Sequence, residues 1–229
     1  MTTTKKIIVR LACATVLGTA GVALTQVNRP QTAVVNAATT SVAARALGVD
    51  VASYQNADLS SHAQAGAQFA IVKVSEGTSY RNPKASSQIS TALSNNMMPM
   101  AYHFATFSSN ASAAAAEANY AIQTAQAFGL PKGSYIACDY ETGSGNNIYG
   151  GKTPTANAII AFMDTIKNAG YKPLLYASSS VLQNNIDTNS VIAKYPNSLW
   201  VASYAISGRI DSPNFNYFPS MNGVSIWQF

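Results

Sequence analysis

The chain has 229 residues, a formal net charge of +5 from 14 basic and 9 acidic side chains, and a charged fraction of only 10% against 48% hydrophobic. That balance excludes a disordered chain and provides enough apolar material for one domain with a substantial core. Two cysteines exclude a disulfide-stapled scaffold, and the lack of Lys/Arg runs interleaved with aromatics argues against a nucleic-acid groove.

The first forty residues differ in kind from the rest. Lys5, Lys6 and Arg10 precede an apolar, small-residue stretch from Leu11 to Leu24, and Val35-Asn36-Ala37 forms an A-x-A-like cleavage signal. The stretch is short for a membrane anchor and is broken by Gly18, Thr19 and Gly21. Cys13 follows Arg10 too closely for a lipoprotein site. The expectation is a secretory signal peptide over 1–37, a linker over 38–46 and one folded domain over 47–229. The leader takes Lys5, Lys6, Arg10 and Arg29 with it, which leaves ten basic residues against nine acidic ones. The basic balance therefore speaks for export and not for a nucleic-acid partner; no membrane contact after cleavage and a monomer are expected. Cys138 remains as the one cysteine after cleavage, and it reads as a buried thiol.

Along the domain, apolar runs of strand length alternate with helix-length segments. Leu47 to Ser53, Phe69 to Ser75, Met98 to Phe104, Ser134 to Tyr140, Pro173 to Ala177, Leu199 to Tyr204 and Val224 to Gln228 read as buried strands. Helices are expected over Pro83 to Ser94, Ala111 to Phe128 and Pro154 to Ala169, with Thr153 capping the last and Gly129 and Gly170 at C-terminal stops. Continuous apolar strands separated by helices imply an α/β fold with a parallel sheet, open or closed into a barrel.

In such sheets the chemistry collects at the carboxyl ends of the strands. Asp50 lies on the first strand, Lys73 and Glu76 close the second, His103 closes the third, and Asp139 and Glu141 close the fourth. Side chains alternate along a strand, so Asp139 and Glu141 face the same way with about 7 Å between their Cα atoms, while Cys138 turns to the other face. Such a pair suits a site that protonates a leaving oxygen and stabilises developing positive charge. Tyr176, Trp200, Tyr204 and Trp227 on the last strands add rings suited to the apolar faces of sugars. No paired-His, CxxC or HExxH spacing points to a metal, and no cofactor is expected. The Gly143, Gly145, Gly150 and Gly151 stretch lacks the Lys-Ser/Thr ending of a phosphate loop.

The blocks GVDVASYQ from Gly48, FAIVKVSEGTSYRNP from Phe69, AYHFATF from Ala101, ACDYE from Ala137, AGYKPLLYAS from Ala169, NSLWVASYA from Asn197 and the ending YFPSMNGVSIWQF resemble those of glycoside hydrolase family 25. The resemblance covers nearly all of the chain after the leader. It implies an irregular, TIM-like (β/α) barrel of about five β/α units followed by strands. It also implies cleavage of the β-1,4 bond between N-acetylmuramic acid and N-acetylglucosamine in peptidoglycan glycan strands. By match to the family pattern, Glu141 takes the place of the general acid, Asp139 that of its neighbour and Asp50 that of the first-strand carboxylate. Lys73, Glu76, Tyr102, His103, Tyr176, Trp200, Tyr204 and Trp227 are the expected substrate-binding residues. Flanking charges on Asp139 and Asp50 are expected to raise the pKa of Glu141 and keep it protonated. Either an acid acts as nucleophile or base, or the substrate's acetamido oxygen attacks while Asp139 orients it; the D-x-E spacing leans to the second. The family pattern carries a further Asp beyond the last matched strand, so a C-terminally truncated barrel is expected, with Asp211 as an exposed loop residue. The alternative reading is a catalytically weak wall-glycan-binding module.

Overall fold

The computed structural model describes residues 41–205 and 212–229. The leader, its cleavage signal, Cys13 and Asp211 lie outside the described residues.

In chain order the elements are β1 (Gly48–Val51), α1 (Ser60–Gln64), β2 (Phe69–Glu76), β3 (Tyr80–Arg81), α2 (Ala85–Ser94), β4 (Met98–Phe104), α3 (Ala111–Ala127), β5 (Tyr135–Asp139), α4 (Lys152–Asn168), β6 (Lys172–Ser178), α5 (Ser179–Asn184), α6 (Thr188–Lys194), β7 (Leu199–Ala202), a 3-10 turn (Phe215–Tyr217) and β8 (Val224–Gln228). The sheet runs β1-β2-β4-β5-β6-β7-β8, parallel throughout, with β3 folding back antiparallel on the end of β2. The first and last strands of this path are not joined by a backbone ladder, yet Gln228 Nε2 on β8 donates to Asp50 Oδ2 on β1 at 2.8 Å. The sheet therefore curls into a half-barrel whose two ends meet through side chains. Five β/α units followed by β7 and β8 match the TIM-like barrel expected from the sequence.

Alternation along the strands divides the core into two layers. Ile71, Met100, Ala137, Leu174, Tyr176 and Trp200 point into the barrel. Their neighbours Val72, Ala101, Cys138, Leu175 and Val201 point out against the helices, so the thiol faces away from Asp139 as expected. Helix α3 meets α4 through a stripe of buried alanines, Ala114, Ala118, Ala121 and Ala125, spaced to recur on one face. The facing α4 residues Ile159, Phe162, Met163 and Ile166 are fully buried; each contributes about 1.5–3 kcal/mol by leaving water.

Helix ends follow local chemistry. The Asn110 side chain accepts from Ala113 N at the start of α3, and Gly129 takes φ +84° just beyond its end. The start of α4 differs from expectation: Gly151 is the cap and Lys152 the first helical residue, so Thr153 lies inside the helix. Pro154 is harmless there, because first-turn N–H groups have no helical partner to lose. Helices α5 and α6 have six and seven residues, too short to display an amphipathic period, and are started by the caps Ser178 and Asp187.

Candidate active site

Strand β5 carries Asp139 at its last position, and Ala105 N donates to Asp139 O at 2.9 Å to hold that end against the chain following β4. Tyr140 turns outward, is fully buried, and donates from its hydroxyl to Ser108 O at 3.0 Å. Alternation then returns Glu141 to the inner face. The loop beyond it is held by Asn146, whose Nδ2 donates to Glu141 O at 2.8 Å and whose Oδ1 accepts from Ser108 N at 2.8 Å. Gly143 is required in that loop: φ is +139°, and a Cβ there would lie 3.1 Å from Phe104 Cζ.

The two acids occupy different depths. Asp139 is 5% exposed and its Oδ1 has no hydrogen-bond partner in the chain, whereas Glu141 is partly exposed. Burial pushes the Asp139 carboxyl well above the usual range, and Glu141, Asp50 and Glu76 add to the rise against the opposing charge of Lys73. Glu141 is also raised, by burial first and by Asp50, again against Lys73. Asp50 is raised by burial. The sequence expectation placed the retained proton on Glu141 through neighbouring charges. The structure makes burial the leading cause and Asp139 the more strongly raised member.

Lys73 and Glu76 lie on the same inner face, although three residues apart on a strand they belong on opposite faces. A bulge resolves this: Lys73 pairs with Tyr102 and Ser75 with His103, which leaves Val74 as the extra residue. Lys73 Nζ donates to Glu76 Oε2 at 2.6 Å and lies 4.8 Å from the centre of the Phe104 ring and 5.5 Å from that of Tyr80. Burial alone pushes Glu76 up, but hydrogen bonds from Lys73 and Ser144 together with the Lys73 charge bring it below its ordinary value.

Aromatic rings line the remainder. Trp200 is 4% exposed and packs between Tyr176, at 4.4 Å centroid to centroid, and Tyr102, at 6.1 Å. Burial raises the Tyr102 and Tyr176 hydroxyls strongly, and the acids add to it, so both remain donors. Tyr204, 53% exposed just after β7, adds to the rise of the Tyr176 hydroxyl. Among the described residues no group of three His, Cys, Asp or Glu side chains is placed to hold a metal ion.

Two expected site residues lie elsewhere. His103 follows Tyr102 on β4 and therefore faces the helix layer: it is fully buried, stacks on Phe162 at 5.5 Å, and bridges Ser75 Oγ (2.8 Å) and Glu117 Oε2 (2.9 Å). Burial lowers its pKa in spite of Glu117. Trp227 precedes the inward Gln228 and so points outward, where it meets Phe215, Phe218 and Phe229 and donates to Ser203 O at 2.8 Å. Neither joins the acid pair.

The family model described as glycosyl hydrolases family 25 matches residues 49–229. The lysozyme of Lactococcus phage mv1 is 39% identical over 178 residues, 77% of this chain and 87% of the phage protein. The chain belongs to glycosyl hydrolase family 25. It is a glycoside hydrolase. Among solved structures, the modular Cpl-1 endolysin complexed with a peptidoglycan analogue superposes with a TM-score of 0.67 at 34% identity, covering 79% of this chain and 50% of that one. The muramidase from Trichobolus zukalii gives 0.60 at 26% identity, covering 80% and 86%. The chain thus spans about half the length of the Cpl-1 endolysin, and likewise 50% of the lysozyme of Streptococcus phage Cp-7.

Within this family 25 domain, the structure adds residues that the sequence reading passed over. Gln228 was visible only as a polar neighbour of Trp227, and its contact with Asp50 depends on curling the sheet. Tyr54 and Tyr149 are 93% and 77% exposed on the loops after β1 and β5, the same end of the sheet as the acids. Their signal was available: an aromatic residue in a loop directly following a strand end.

Proposed function

We propose that the chain is a secreted peptidoglycan muramidase that cuts the β-1,4 bond between N-acetylmuramic acid and N-acetylglucosamine. The observation that carries this reading is the stepped acid pair, with Asp139 buried and Glu141 partly exposed on one face of a strand end, both raised. A raised pair retains a proton to higher pH than free carboxyls do, and its exposed member is the one able to deliver it to the glycosidic oxygen. Glu141 is the general acid in this account. As Glu141 protonates the leaving oxygen and the C1–O bond breaks, Asp139 orients the 2-acetamido group so that its oxygen attacks the anomeric carbon; water, giving its proton to Glu141, then opens the cyclic intermediate, as in substrate-assisted glycosidases. Asp50, steadied by Gln228, stabilises positive charge developing on the sugar ring. Lys73, Glu76, Tyr102, Tyr176 and Tyr204 offer donors and acceptors to hydroxyl and amide groups, and Trp200 supports the two tyrosine rings from within the barrel.

The lysozyme relatives and the Cpl-1 complex with a peptidoglycan analogue support wall glycan as the substrate class. Residues 1–37 are assigned to export, residues 47–229 to the catalytic domain, and the product acts as a monomer on the wall. The test is clearing of a purified cell-wall suspension by the domain and by Glu141→Gln. Loss of turbidity with the wild-type domain alone is expected; equal clearing by both proteins sinks the assignment.

A further inference from the structure

Strand β2 departs from simple alternation, and the residues that make it do so lie outside the pocket. At the bulge the carbonyls of Lys73 and Val74 are both held by one residue, through its side chain and its backbone. Asn82 Nδ2 donates to Lys73 O at 2.8 Å, and Asn82 N donates to Val74 O at 3.0 Å. Asn82 is fully buried and is itself held by Gln88 Oε1 at 3.0 Å and by Lys84 N, which donates to its Oδ1 at 3.0 Å. Gln88 in turn donates to Ala52 O at 2.9 Å and Asn56 O at 3.1 Å in the loop after β1. From the opposite face, Ser75 Oγ bonds His103 Nδ1, and His103 is anchored by Glu117, which also accepts from Thr106 N at 2.9 Å and Thr106 Oγ1 at 2.6 Å. The bulge is therefore clamped on both sides by buried, mutually satisfied polar groups. Such groups are costly to leave unpaired and so hold one geometry.

We propose that Asn82 and Ser75 are positioning residues of the glycosidase: they clamp the β2 bulge so that Lys73 and Glu76 share the inner face and Lys73 is held over the acid pair. The inference rests on the muramidase reading for its assay. Without the bulge Glu76 turns outward, Lys73 loses its 2.6 Å partner, and the ammonium is free to swing toward solvent. Lys73 meets Glu76 from its own strand, Tyr80 from β3 and Phe104 from β4, and its charge acts on Asp139 and Glu141 of β5; Asp50 from β1, Tyr102 from β4, Tyr176 from β6 and Tyr204 after β7 also face that pair. His103 lies behind the sheet. Glu76, Asp139 and Glu141 are restrained by the Lys73 charge, so moving the charge away raises the pair and shifts the pH–activity profile toward alkali.

The experiment compares pH profiles of wall hydrolysis for the wild-type domain, Asn82→Ala, Lys73→Met and the double variant, with circular dichroism and thermal midpoints as folding controls. Asn82→Ala is expected to lose roughly ten- to a hundredfold in kcat/KM, the scale of a misplaced catalytic group. Its profile is expected to move to higher pH in the same direction as Lys73→Met. In the double variant no further shift is expected, because both changes act through one ammonium. Ser75→Ala is expected to repeat the shift and Ser75→Thr, which keeps the hydroxyl, to restore the wild-type profile; this pair decides the matter if Asn82→Ala fails to fold. Profiles of Asn82→Ala and Ser75→Ala that coincide with wild type, or a double variant that shifts beyond Lys73→Met, overturn the clamp. A wild-type domain without Glu141-dependent clearing overturns the muramidase reading and the clamp together, whereas an active wild type with unshifted variants overturns the clamp alone.

Discussion

Glu117→Ala tests the reassignment of His103 from substrate ligand to buried tether. Glu117 is 4% exposed on α3 and accepts three hydrogen bonds, from His103 Nε2, Thr106 N and Thr106 Oγ1. Truncation strands all three groups and leaves a void beside His103, which stacks on Phe162. Leaving a buried donor unpaired costs about 1–3 kcal/mol, and about 3–5 kcal/mol is expected here, less than the sum of three separate bonds because one side chain serves them all. For a domain of this size that corresponds to a fall in Tm of about 6–20 °C. Glu117→Gln keeps the shape and one acceptor oxygen, and the Thr106 hydroxyl can turn to accept from the new amide, so a loss of about 1–2 kcal/mol is expected. Urea and thermal unfolding of the three proteins, followed by circular dichroism, provide the measurement. A loss below about 1 kcal/mol for Glu117→Ala refutes the reasoning, since it requires that the network carries no stability.

Three further outcomes are expected. The raised carboxyl of Asp139 is favourable to the fold below the unfolded pKa, about 3.9, and that contribution is lost as pH rises through the folded value; Asp139→Asn therefore raises Tm at pH 7, with the gain vanishing toward pH 4, and an equal gain at both pH values contradicts the burial argument. Gly143→Ala places a Cβ against Phe104 at a positive φ and costs about 1–3 kcal/mol of local strain, so kcat is expected to fall more than Tm; unchanged kinetics refute the link between this loop and Glu141. Trp227→Ala empties an outward aromatic cluster and is expected to lower stability by about 3–5 kcal/mol while leaving KM for wall fragments unchanged at a temperature where the variant is folded; a raised KM returns Trp227 to the substrate site.

The strand ladder was legible because buried parallel strands read as apolar runs, and β4 and β8 carry the very limits that the runs indicated. The acid pair was legible for the same reason, since alternation alone places Asp139 and Glu141 together and Cys138 apart. Alternation also carried the signal that His103 was misplaced: Tyr102 and His103 are adjacent, so both cannot face the same pocket. What period-2 reasoning does not reveal is a bulge. Lys73 and Glu76 meet only because Val74 is an inserted residue, and Asn82, which holds the Lys73 carbonyl there, lies outside the strand. The closure between Asp50 and Gln228 was equally hidden, because it joins residues 178 positions apart through side chains alone.

The bond that is cut tests the central claim most directly. Purified peptidoglycan is digested with the domain, the new reducing ends are reduced with borohydride, and the released fragments are identified by mass spectrometry. The account predicts fragments ending in reduced N-acetylmuramic acid from the wild-type domain and none from Glu141→Gln. Fragments ending in reduced N-acetylglucosamine, or muramic ends produced equally by Glu141→Gln, contradict it.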